Sequence, residues 1–204
     1  MTQSILKYLA LGDSYTIGTS VSEPESFPVQ LTHKLNADQL RVELTNIIAV
    51  NGWTTADLLK AISERPTLDP SDLVTLLIGV NNQYQGRSLE EYRREFTTLI
   101  EHAIRLAGNR PQRVFVLSIP DYSVTPFASD RNPARIAADI DLFNEVNRAI
   151  TNAAKACYLD ITPESRKAAK DPSLIASDGL HFSGREYAVW ATMLAPAILE
   201  AIAK

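Results

Sequence analysis

Short apolar runs alternate along this chain with longer stretches in which apolar residues recur at every third or fourth position. Residues 8–11 form the apolar end of a first run, and residues 42–50 (VELTNIIAV) form a second, rich in β-branched side chains. Residues 73–78 (LVTLLI) and 114–119 (VFVLSI) are nearly all apolar, as expected for strands covered on both faces. Residues 157–161 (CYLDI) make a shorter candidate. Between these runs the period changes. Leu89, Tyr92, Phe96, Leu99, Ala103 and Leu106 mark one face of a helix that Gly108 ends. Ile136, Ile140, Phe143, Val146 and Ile150 do the same after Pro133, and Trp190, Leu194, Ile198 and Ile202 mark a last helix. Pro196 falls inside that last pattern and predicts a kink or an early end. Residues 53–64 and 26–36 read as further short helices. Strands alternating with helices predict right-handed βαβ units, a central parallel sheet and a three-layer α/β/α sandwich. An eight-stranded barrel needs more strands than this. No G-x-G-x-x-G follows the first strand and no G-x-x-x-x-G-K-[ST] occurs, so neither nucleotide-binding signature is present.

Bulk properties then exclude several classes. The 204 residues fit one domain, 1–204, with room for a sizeable core. Net charge is −4 and no Lys/Arg cluster appears, so the chain has no electrostatic footprint for nucleic acid. Cys157 is the single cysteine, which excludes an intrachain disulfide and a Cys-based metal site. The segment MTQSILKYLALGDS lacks the long apolar core and cleavage site of a signal peptide, and no segment reads as a membrane span. A soluble, cytoplasmic protein is the expectation.

In an open α/β sheet, ligands bind beyond the carboxyl ends of the strands. The residues following each run are therefore the ones to inspect. They are Gly12-Asp13-Ser14, then Asn51-Gly52-Trp53-Thr54, then Gly79-Val80-Asn81-Asn82, then Pro120-Asp121-Tyr122, and, past a long loop, Ser177-Asp178-Gly179-Leu180-His181. A serine, turn glycines and asparagines, and an Asp/His pair would converge on one sheet edge. That set can carry acyl transfer. A serine hydroxyl needs a base to take its proton, and neutral imidazole suits that task. The imidazole needs an acceptor that fixes its tautomer, and Asp178 lies one turn before His181. A tetrahedral intermediate also needs donors for its oxyanion. The Ser14 amide, the Gly52 amide and the Asn81 side chain are candidates.

These blocks resemble those of the SGNH-hydrolase superfamily, the GDSL esterases and lipases. The four motifs GDSYTIG, NGWTTADLL, IGVNN and SDGLHFSG occur in the family's order and extend from Gly12 to Gly184. The resemblance implies a flavodoxin-like sheet of about five parallel strands and carboxylic-ester hydrolysis without cofactor or metal. It implies Ser14 as nucleophile, His181 as base, Asp178 as its partner, and Gly52 and Asn81 as oxyanion donors with the Ser14 amide. Two positions depart from the pattern. Tyr15 stands where the family has Leu. Asn82 stands where it has Asp, which keeps hydrogen-bonding capacity but loses a charge.

Simpler roles exist for each residue. Ser14 can cap the helix that follows it, Gly52 can be a turn glycine, and Asn81 and Asn82 can be turn residues. Asp13 is read as tying the turn by side-chain hydrogen bonds. His33 and His102 fall on helical segments and are read as surface residues. Ser183 and Glu186 form an S-x-x-E pattern that starts the last helix at Ser183. Residues 82–88 and 121–135 are the expected pocket loops, with Trp53, Tyr84, Tyr122 and Phe127 as apolar lining. Short loops without a lid favour a small-molecule ester: a short-chain ester, a lysophospholipid or an acetylated carbohydrate. An acyltransferase using the same acyl-enzyme, or a binding module that kept the fold, are the alternatives.

Overall fold

The computed structural model describes residues 4–38, 40–65 and 67–203. Five parallel strands form one sheet: β1 (Leu6–Gly12), β2 (Val42–Ala49), β3 (Leu73–Leu77), β4 (Val114–Leu117) and β5 (Cys157–Leu159), in the order β2-β1-β3-β4-β5. Around it run α1 (Ser14–Ile17), α2 (Phe27–Ala37), α3 (Thr55–Ser63), α4 (Val80–Tyr84), α5 (Leu89–Leu106), α6 (Pro133–Ala153), α7 (Thr162–Ser165) and α8 (Gly184–Ala203). This is the predicted α/β/α architecture.

Burial explains which strands were easiest to read. Every residue of β3 and β4 is buried, so those strands need no polar face. The edge strand β2 is half exposed, and the short β5 is only partly covered. The chain moves from β1 to β2 in one direction along the sheet and through β3, β4 and β5 in the other. Right-handed crossovers therefore send α2 to one face and α3, α5 and α6 to the other. The contacts agree: α2 packs on α8, while α5 packs on α3 and α6.

The helix α8 corrects three expectations. It continues through Pro196 to Ala203, so the early end does not occur. It begins at Gly184 and the capping box does not form: the Ser183 hydroxyl donates to the Ser173 carbonyl, and Glu186 accepts from the Trp190 indole at 2.7 Å. By length and composition α8 is also apolar enough to cross a bilayer, which the sequence reading credited to no segment. Its apolar face is instead spent on the core. Tyr187, Trp190, Leu194 and Ile198 are buried, and Trp190 is ringed by Tyr15, Phe27, Phe182 and Tyr187. Of the other histidines, His33 is exposed as expected and His102 is half buried.

Candidate active site

The strand order reverses between β1 and β3, and the candidate residues gather at the carboxyl ends of those two strands. Gly12 ends β1 where any side chain would collide with Thr16 and the Leu77 carbonyl, so the turn admits only glycine. Asp13, not Ser14, caps α1; its carboxylate accepts from the Tyr15 amide at 3.1 Å. Ser14 is thereby the first residue of α1, 4% exposed, and its amide is one of the helix-start donors without an intrahelical acceptor.

Asp178 and His181 come from a tight loop before α8. His181 Nδ1 lies 2.6 Å from Asp178 Oδ2. Asp178 Oδ1 accepts from the Leu180 and His181 amides, each at 3.0 Å. The Ser20 hydroxyl donates to Oδ2 at 2.6 Å. Burial raises the Asp178 carboxyl, but the hydrogen bonds from Ser20, the His181 ring and the two amides outweigh it and hold the group well below the usual carboxylate range. The edge of the Tyr15 ring backs the imidazole at 5.5 Å between centroids. Ser14 and His181 line the same cavity. The Ser14 hydroxyl makes no hydrogen bond among the described residues.

Gly52 and Asn81 line that cavity as well. Gly52 sits at φ 83, with nothing within 4 Å of where a Cβ would stand. Asn81 Nδ2 donates one hydrogen to the Trp53 carbonyl at 2.9 Å, which orients the amide and leaves its second hydrogen unused. The turn that presents Asn81 needs glycine before it. Gly79 has φ 132, and a Cβ would press on Ile119 and the Tyr92 ring at 2.7–2.9 Å. Asn82 is buried beneath: its Oδ1 accepts from the Thr55 amide at 3.0 Å, and its Nδ2 donates to the Thr55 hydroxyl at 2.6 Å. The Thr55 hydroxyl in turn donates to Glu95 Oε2 at 2.5 Å.

The cavity holds about 330 Å³. Tyr84, Tyr122 and Phe127 form its outer wall, ring against ring at 6.1–6.4 Å, and the Arg131 guanidinium lies 4.3 Å above Phe127. Tyr122 is steadied by a 2.9 Å bond to Gln83, and burial pushes its hydroxyl up to about 12. Trp53 does not line the cavity; its backbone serves Asn81 while its ring packs on the core. Asn51, Val80 and Leu180 line the cavity without having been singled out, although each adjoins a motif residue. Ser20 had no sequence signal. Among the described residues, no group of three or more His, Cys, Asp or Glu side chains is placed to hold a metal ion.

The profile of the GDSL-like Lipase/Acylhydrolase family matches residues 10–189. Among solved structures, the chain is similar to a lipase/acylhydrolase from Enterococcus faecalis, with 22% identity, 95% of each chain covered and a TM-score of 0.73. It is also similar to a variant of the acetyl xylan esterase Axe2 from Geobacillus stearothermophilus, with 19% identity over 95% of this chain and 94% of that one, TM-score 0.73. The esterase EstA from Pseudoalteromonas sp. gives 16% identity over 97% and 99%, TM-score 0.70. No curated protein sequence matches. The family profile spans the turn after β1, the asparagine turn after β3 and the Asp178–His181 loop, and this chain belongs to the GDSL-like lipase/acylhydrolase family of carboxylic ester hydrolases.

Proposed function

We propose that this chain hydrolyses small, single-acyl carboxylic esters through Ser14, His181 and Asp178. The observation that carries the reading is the Asp178–His181 hydrogen bond opening on the cavity that Ser14 shares. His181 Nε2 takes the Ser14 hydroxyl proton as Oγ attacks the ester carbonyl. The developing oxyanion is received by the amides of Ser14 and Gly52 and the free hydrogen of Asn81. The imidazolium, held by Asp178, returns the proton to the departing alcohol as its C–O bond breaks. Water then attacks the acyl-enzyme, gives a proton to His181, and the acid leaves as Ser14 Oγ is reprotonated.

The substrate class follows from the cavity. At about 330 Å³ it lies at the small end of ligand pockets, and its wall is aromatic and apolar. That favours one short acyl chain over a triglyceride. Three similar structures, of two proteins, are described as acetyl xylan esterases, which fits a short acyl group on a carbohydrate alcohol. Hydrolysis of p-nitrophenyl acetate and longer acyl esters by the wild type and Ser14→Ala tests the reading. The variant should lose about 10⁴-fold or more in kcat while keeping its fold, and the wild-type rate should peak at short chains. Equal rates in both proteins would sink the serine assignment. A rate that climbs steadily with chain length would sink the small-acyl assignment.

A further inference from the structure

We propose that Ser20 is a positioning residue for the Asp178–His181 pair, its hydroxyl fixing the carboxylate oxygen that faces the imidazole. The inference rests on the roles given to those two residues above. The bonds to Oδ1 come from the turn of Asp178 itself and tie the carboxylate to its own loop. Oδ2 is shared by His181 Nδ1 and by Ser20, which reaches it across 158 residues of sequence. Ser20 is the one side-chain donor to Asp178 from outside the 178–181 turn among the described residues. With two bonds on each oxygen, the carboxylate cannot rotate without breaking charge-assisted bonds.

The backbone at Ser20 points the same way. It sits at φ 68, where glycine is relaxed and a residue with a Cβ is not. The sequence keeps a side chain there nonetheless, and what that side chain does is donate to Asp178. The loop carrying it is held against the histidine loop. Gln30 of α2 donates to the carbonyls of Glu25 and Gly184 at 2.6 and 2.7 Å, and a Cβ on Gly184 would touch Glu25 at 2.7 Å. The donor and the carboxylate therefore belong to two clamped loops.

The other titratable groups facing the pair are Tyr15 of α1, against the His181 ring, and Tyr187 of α8, both buried. No Lys or Arg forms an ion pair with Asp178 among the described residues. Removing Ser20 leaves Oδ2 with the imidazole alone. The carboxylate then grips the imidazolium proton more tightly but is free to swing out of line.

The test compares Ser20→Gly and Ser20→Ala with the wild type. It measures kcat and KM on p-nitrophenyl acetate, the pH dependence of kcat/KM, melting temperature, and the Nδ1 proton resonance of His181 without substrate. Both variants should lose about tenfold in kcat with KM within about twofold, the scale of one hydrogen bond to a charged group. The acid limb should move to higher pH and the Nδ1 resonance should broaden. Ser20→Gly should melt no lower than the wild type, because glycine relaxes the turn. A wild-type rate, pH profile and resonance in Ser20→Gly would overturn the proposal, since water would then replace the hydroxyl without consequence. A loss in Ser20→Ala alone would also overturn it, by assigning the effect to backbone strain. The resonance needs no turnover, so a failure of ester hydrolysis in the wild type would remain distinct from a failure of this proposal.

Discussion

Asp13 carries the largest electrostatic compromise beside the site. It is 1% exposed, and its Oδ2 has no hydrogen-bond partner among the described residues. Burial pushes its carboxyl up to about 7, against the pull of the amides of Tyr15, Gly79 and its own residue. In the unfolded chain an aspartate titrates near ~3.9. Across the interval between these values the unfolded state gives up a proton that the native state keeps, so Asp13 subtracts stability progressively as pH rises and the loss is complete above about 7. An asparagine still offers an oxygen to the Tyr15 amide and cannot ionise. Asp13→Asn should therefore melt increasingly above the wild type from pH 5 to pH 8, by a few kcal/mol at the upper end at ~1.4 kcal/mol per unit. Thermal unfolding at three pH values checks this, and a difference that stays flat would contradict it. The aspartate also shows how far single residues were legible. Its hydrogen bonds to the turn were legible, whereas the choice of cap between Asp13 and Ser14 was not, because the sequence offers two good capping residues side by side. Only the backbone angles decide between them.

At the scale of elements, Asn82 joins three helices into one polar chain: α4 carries it, α3 begins with Thr55, and α5 supplies Glu95. Direction matters, because a hydroxyl has one proton to give. The Asn82 amide donates to Thr55, which frees Thr55 to donate to Glu95. Asn82→Asp would put a carboxylate at each end of that hydroxyl, and one of them would lose its donor. The substitution should cost about 1–3 kcal/mol, and adding Glu95→Gln should recover much of it. Urea unfolding of the single and double variants measures this; equal destabilisation with and without Glu95→Gln would exclude the coupling. Helix α5 itself, capped at its start by Ser88, was read from the sequence to both ends, because its apolar stripe is regular and Gly108 follows. The start of α8 was not. Ser183 and Glu186 have the right spacing for a capping box, but Ser173 of the preceding loop and Trp190, one turn along the same helix, take their side chains first. Trp53 was read as apolar lining of the cavity, yet its ring packs on the core while its carbonyl accepts from Asn81.

The whole molecule is organised by the reversal of strand order at β1. It lets turns far apart in sequence meet at one edge, which explains why the blocks are each short and unremarkable alone but sit together in space. The same topology places α2 and α8, from opposite ends of the chain, against one another. Trp190 is the centre of that contact and is fully buried. Trp190→Ala should cost about 3–5 kcal/mol, read as a shift in urea midpoint, and should loosen Tyr15, whose ring lies between Trp190 and His181. The bond from Ser20 to Asp178 spans 158 residues, and so has a consequence for biosynthesis. On the ribosome Ser14 emerges early and His181 late, separated by roughly ten to thirty seconds at ordinary elongation rates. Throughout that interval the serine has no base, no carboxylate and no closed cavity. With the roles proposed above, the nascent chain stays chemically silent toward esters until His181 has been made, and the delay is set by the order of the codons, with no inhibitor required.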